Sequence, residues 1–140
     1  HKADLRLLQT GWKATVKRFN LDVSKGPPDP DNYVMGGNIV EVEGLRLEAI
    51  ETPGHTPGSM SYYTEGLLFS GDTLFKGSIG RTDLPGGNYE EEMCSIDTIL
   101  TKLPDETVVL PGHMGETTIA EEKANNPFFQ DWKKNQISNH

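Results

Sequence analysis

Between Leu5 and Phe19 the apolar residues Leu5, Leu8, Trp12, Val16 and Phe19 recur at intervals of three and four, the spacing that gathers side chains on one helix face. An amphipathic helix over residues 3–19 is therefore expected, with Gly11 as its weakest point. The stretch SKGPPDPDNY, 24–33, fits neither the helical nor the strand period, and its Pro, Gly, Asp and Asn predict a surface loop. From Asn38 to Glu51 apolar and polar residues alternate about Glu43-Gly44, the pattern of two strands joined by a tight turn. A second hairpin follows, SMSYYT (59–64) and LLFS (67–70) about Glu65-Gly66, with both strands expected to be largely buried.

Helices dominate the second half. Asn88, followed three residues on by Glu91, is a capping pattern, and Met93, Ile96, Leu100 and Leu103 then share one helical face until Pro104. TVVL (107–110) is β-branched and apolar, as in a buried strand; Thr118 with Glu121 opens another helix running toward Asn126-Pro127. The expected class is α+β, with sheet strands covered by helices on one side, in a single domain over 1–140.

Charge narrows the partners. A formal net charge of −8 repels phosphate backbones and anionic bilayers, so neither nucleic acid nor membrane is expected as a partner. One cysteine, Cys94, excludes an internal disulfide and fits the cytoplasm. It has no evident base and reads as helix packing. The opening His1, with a helical pattern starting at once, suggests that the start belongs to a longer protein.

The chemistry sits in three turns. ETPGHTPG, LLFSGDTLF and VVLPGHMG each follow an apolar strand with Gly and then a metal-capable side chain: His55, Asp72 and His113. Glycine permits a sharp turn that aims the next side chain off the strand end. Two imidazoles and a carboxylate are a plausible zinc or iron set. Any one of the three alone would be an ordinary polar turn residue; their shared pattern argues otherwise.

TPGHTPGS, FSGDTLF, GSIGRTDLPGG and VVLPGHMGETTIAEEKANNPF resemble, in order and spacing, the successive motifs of metallo-β-lactamase-fold hydrolases, and the glyoxalase II-like enzymes (hydroxyacylglutathione hydrolases) most of all. The resemblance implies the C-terminal half of an αβ/βα sandwich with a two-metal site. It implies that His55 ligates the first metal, His113 the second, and that Asp72 bridges both and is catalytic. Zn2+ is the expected cofactor, two per complete site, with Fe or Mn possible. The implied reaction is hydrolysis of a small-molecule thioester or related ester by a hydroxide generated on the metals. Arg81, in GSIGRTD, falls where glyoxalase II enzymes bind a glutathione carboxylate; a salt bridge to Asp83 is the equal alternative.

The family's His-x-His-x-Asp-His loop is not among these residues, whose histidines are His1, His55, His113 and His140. The chain is accordingly expected to be an enzyme fragment, inactive alone, whose partner would be the missing N-terminal half or a second copy. Two other readings stand beside it: a persulfide dioxygenase-like mononuclear iron enzyme, and a non-catalytic half-fold module. Tyr62, Tyr63, Phe69 and Phe75 are expected in the core, and Glu90 to Glu92 in a solvated first helical turn.

Overall fold

The computed structural model describes residues 1–23 and 25–138; Ser24, which opens the predicted loop, and His140 lie outside the described residues. After a 3-10 turn at Lys2–Asp4 come α1 (Leu5–Phe19), β1 (Ile39–Val42), β2 (Leu45–Glu51), β3 (Met60–Thr64) and β4 (Leu67–Gly71). The two-residue strands β5 (Leu74–Phe75) and β6 (Ser78–Ile79) lead to α2 (Tyr89–Lys102), β7 (Val108–Pro111), β8 (Thr117–Thr118), α3 (Ile119–Asn125) and α4 (Pro127–Ser138).

Both predicted hairpins form, and their turns show why Gly stands second. Glu43 and Gly44 take φ of 49° and 87°, and Glu65 and Gly66 take 42° and 81°. This left-handed pair matches the twist of the flanking strands. The caps form as well. Asn88 accepts from the Glu91 N–H at 3.1 Å, and Thr118 accepts from the Glu121 N–H at 3.2 Å.

One six-stranded sheet runs in the order β1-β2-β3-β4-β7-β8, while β5 and β6 pair separately. β2 to β3 and β3 to β4 are antiparallel, but β4 to β7 is parallel, with Leu68 beside Val109. It follows that β2, β4 and β7 all point the same way. Leu68 and Val109 pack with Leu74, Met93, Ile96, Ile99, Leu100, Ile119 and Phe129 into one core beneath the helices. The opposite face, which carries Leu67 and Phe69, remains open to solvent, with Phe69 39% exposed. The sheet is thus covered by helices on one side, as expected, but β4 is buried on alternate residues only.

Several expectations need correction. The helix over α1 forms, yet none of its residues is buried, and Phe19 at the end of the apolar stripe is 64% exposed. Phe69 is not core, because its alternation places it on the open face; Phe75 is buried, and Tyr62 and Tyr63 are half-buried. Cys94 is exposed rather than packed. Glu92 departs from its neighbours Glu90 and Glu91: it is fully buried, not solvated. Finally, α4 was not foreseen in NPFFQDWKK. Its signal is local, since Asn126 accepts from the Phe128 and Phe129 N–H groups and Pro127 occupies the first helical position. No helix among the described residues is long and apolar enough to cross a membrane.

Candidate metal centre

Because β2, β4 and β7 share a direction, the turns after them meet at one end of the sheet, and these are the three Gly-containing turns. Asp72 stands between the two imidazoles. His55 Nε2 lies 3.5 Å from Asp72 Oδ2, and His113 Nε2 lies 3.4 Å from Asp72 Oδ1. Each carboxylate oxygen therefore faces one ring nitrogen. The close approach depends on glycine: a Cβ on Gly112 would come within 2.5 Å of Asp72 Oδ1.

The His55 ring is oriented from behind. Its Nδ1 lies 2.7 Å from the Arg81 carbonyl oxygen. A carbonyl only accepts, so Nδ1 carries a proton, and Nε2 is the nitrogen turned toward Asp72. His113 is more open, with a side chain 69% exposed against 20% for His55. It is braced by Phe75, whose ring centroid lies 5.7 Å away in a T-shaped contact.

Two buried glutamate side chains hold the surrounding loops. Glu122 accepts from the Thr117 hydroxyl at 2.7 Å, the Gly77 N–H at 3.0 Å and the Asn126 side-chain N–H at 2.8 Å. This fastens the β5–β6 hairpin, which carries Phe75, to the segment after His113. Glu92 accepts from the His55 N–H at 2.8 Å. Burial pushes the Glu92 carboxyl up to about 8; the backbone N–H groups of His55 and Gly80 pull against this, and the Asp72 charge adds to it. The Gly80 N–H itself donates to Thr73 O, and Glu92 Oε1 has no formed hydrogen bond among the described residues. Asp4 secures the same His55 loop from the other side, accepting from the Thr56 hydroxyl and the Gly58 N–H.

Sequence reasoning missed Asp4, Glu92 and Glu122 as supports of the site. For Glu92 a signal existed, since it precedes Ile96 by four and so lies on the buried face of α2. Arg81 is placed in a two-point pair with Asp83, at 2.8 and 2.9 Å, on the surface. Their hydrogen bonds raise the guanidinium's pKa and lower that of the carboxylate. Its carbonyl, rather than its side chain, is what touches His55.

His55, Asp72, His113, Arg81, Phe75, Ser78, Ile79 and Met114 line a pocket of about 210 Å3. The donor chemistry fits divalent cations in part. Asp72 with either histidine offers two donors per ion, and among the described residues no group of three or more His, Cys, Asp or Glu side chains converges to hold one metal. A catalytic zinc ordinarily has three protein ligands.

Residues 1–113 match the Metallo-beta-lactamase superfamily, and the chain belongs to that family. It is 47% identical over 111 residues to the probable metallo-hydrolase YqgX of Bacillus subtilis, an overlap covering 78% of this chain and 52% of that one. It is 44% identical over 103 residues to the hydroxyacylglutathione hydrolase GloC of Haemophilus influenzae, covering 71% and 49%. The chain therefore spans about half the length of the curated relatives it matches. Among solved structures it resembles BLEG-1 B3 metallo-beta-lactamase, with a TM-score of 0.80 and 35% identity over 92% of this chain and 63% of that one. The di-iron-bound form of TTHA1623 gives 0.79 and 36% over 91% and 62%. ETHE1 from Myxococcus xanthus gives 0.69 and 34% over 89% and 62%. The expected family and the mixed α and β fold are borne out.

Proposed function

We propose that this chain contributes His55, Asp72 and His113 to a two-metal hydrolase that cleaves small thioesters, as glyoxalase II-like enzymes do. The observation that carries the reading is the Asp72 carboxylate, whose two oxygens each face one imidazole Nε2. In that role His55 would hold one cation, His113 the other, and Asp72 would bridge them; Zn2+ suits the donors, and iron is the alternative that the likeness to TTHA1623 supports. Bound cations would supply Lewis acidity and a nucleophilic water near neutral pH. The chain's own residues shape the rest. Phe75, Ile79 and Met114 give the pocket an apolar wall, and Arg81 at its edge could take a substrate carboxylate on leaving Asp83. Among the described residues that line the pocket, none beyond the three donors is an acid or base suited to protonating a leaving group. A thiol, with an ordinary pKa of about 8.5, leaves without one.

The remaining ligands would come from a segment bearing the His-x-His-x-Asp-His loop. The test uses such a complete protein loaded with zinc, following thiol release from lactoylglutathione. Hydrolysis that falls at least about a hundredfold in Asp72→Ala supports the reading. No hydrolysis by the zinc-loaded protein, with oxygen uptake on glutathione persulfide once the same protein is loaded with Fe2+, would favour the iron dioxygenase reading that the likeness to ETHE1 supports.

A further inference from the structure

The turn bearing His55 rests on the first turns of α2 through three contacts. The Asn88 N–H donates to Gly54 O at 2.8 Å, the Ser95 hydroxyl donates to Pro53 O at 2.7 Å, and the His55 N–H donates to Glu92 Oε2 at 2.8 Å. Only the third reaches His55 itself. The backbone has come as close to Glu92 as it can. A Cβ on Gly54 would lie 2.3 Å from Glu92 Cα, and one on Gly80 would lie 2.7 Å from Glu92 Oε1. Glu92 thus lies between two loops: the one that carries His55, and the one whose Arg81 carbonyl fixes the His55 ring. A fully buried carboxyl group in an apolar helix face costs stability, and packing alone does not call for it; an apolar side chain would fill the same volume.

We propose that Glu92 is a positioning residue for His55, holding its backbone through the carboxyl oxygen Oε2 so that the ring can give Nδ1–H to Arg81 O and aim Nε2 at Asp72. The carboxyl group acts through His55 and touches neither substrate nor metal. This inference rests on His55 being a ligand only for its consequence on metal binding; the geometry of the ring can be judged without any metal.

The test uses the 140-residue chain and two substitutions, Glu92→Gln, which keeps the acceptor, and Glu92→Leu, which fills the space without one. Nitrogen-15 NMR of the histidine rings, recorded at pH 8 above the range in which free imidazole titrates, reads the tautomer. Wild type and Glu92→Gln are expected to hold His55 as Nδ1–H. Glu92→Leu is expected to give a mixture of tautomers at His55, with His113 unchanged. In a complete protein that also bears the His-x-His-x-Asp-His loop, zinc affinity is expected to fall roughly tenfold in Glu92→Leu and to stay within about threefold in Glu92→Gln. A folded Glu92→Leu chain with the wild-type His55 tautomer would overturn the proposal. Should Glu92→Leu fail to fold, hydrogen exchange of the wild-type His55 amide decides: slow exchange supports the bond to Glu92, and exchange as fast as at neighbouring loop amides overturns it. A complete protein that takes up no zinc would count against the ligand reading, and the tautomer and amide of the 140-residue chain would still judge Glu92.

Discussion

Replacing Glu92 with glutamine is expected to stabilise the chain at neutral pH and to change little at pH 4. Burial raises the folded-state pKa of this carboxyl from 4.5 to about 8. Below 4.5 both folded and unfolded chains hold the proton, so ionisation contributes nothing. Between the two values the unfolded chain ionises while the folded one stays protonated, and stability falls as pH rises. Above about 8 the penalty is complete. At pH 7 the linkage amounts to about 3 kcal/mol, a large share of a typical folding free energy of roughly 5–15 kcal/mol. Glutamine keeps an acceptor for the His55 N–H and has no proton to lose. Any cost of its amide group applies equally at every pH, and the acidic groups that do not interact with Glu92 cancel between the two chains. Urea melts of the two chains at intervals from pH 4 to pH 8 give the difference directly. The gap is expected to open in favour of Glu92→Gln by about 3 kcal/mol between pH 4 and 7, or about 10 °C in Tm for a chain of this size. A gap that stays constant over the series, or opens in favour of glutamate, would refute the burial account.

Asp4→Ala removes the acceptor of the Thr56 hydroxyl and the Gly58 N–H; a loss of about 1–3 kcal/mol is expected, with faster hydrogen exchange at Gly58 and no change in the core. Gly54→Ala combines a φ of +146° with a Cβ 2.3 Å from Glu92 Cα, so a loss above about 3 kcal/mol by chemical denaturation is expected. Glu122→Ala leaves three donors without their acceptor; about 2–4 kcal/mol should be lost, and the His113 ring protons should shift as Phe75 moves.

The match between pattern and structure is closest where neighbours in sequence decide the outcome. The Glu43-Gly44 and Glu65-Gly66 turns, the Asn88 and Thr118 caps and the stripe Met93, Ile96, Leu100 rest on contacts within a few residues. The apolar stripe of α1 was legible too, but its burial was not, since whether a face finds a partner depends on what packs there. Glu92 shows the same division within one helix turn: Glu90 and Glu91 face solvent as charge predicts, while Glu92 turns under the His55 loop. Asn126-Pro127 carried a helix-opening signal, but the same pair also marks the end of the helix that Thr118 opens.

By itself, the sequence determined the two hairpins, the helix caps, and three strands each ending in glycine and a metal-capable side chain, because backbone torsion and hydrophobic period are local properties. It could not place those three ends together. Only the tertiary structure did so, through the antiparallel β2-β3-β4 meander and the parallel crossover to β7, which point three strands in one direction. The same packing decided that Asp72 lies between two imidazoles and that a buried glutamate sits behind one of them. Distances between residues far apart in sequence follow from how whole elements stack, and no window of neighbouring residues contains them.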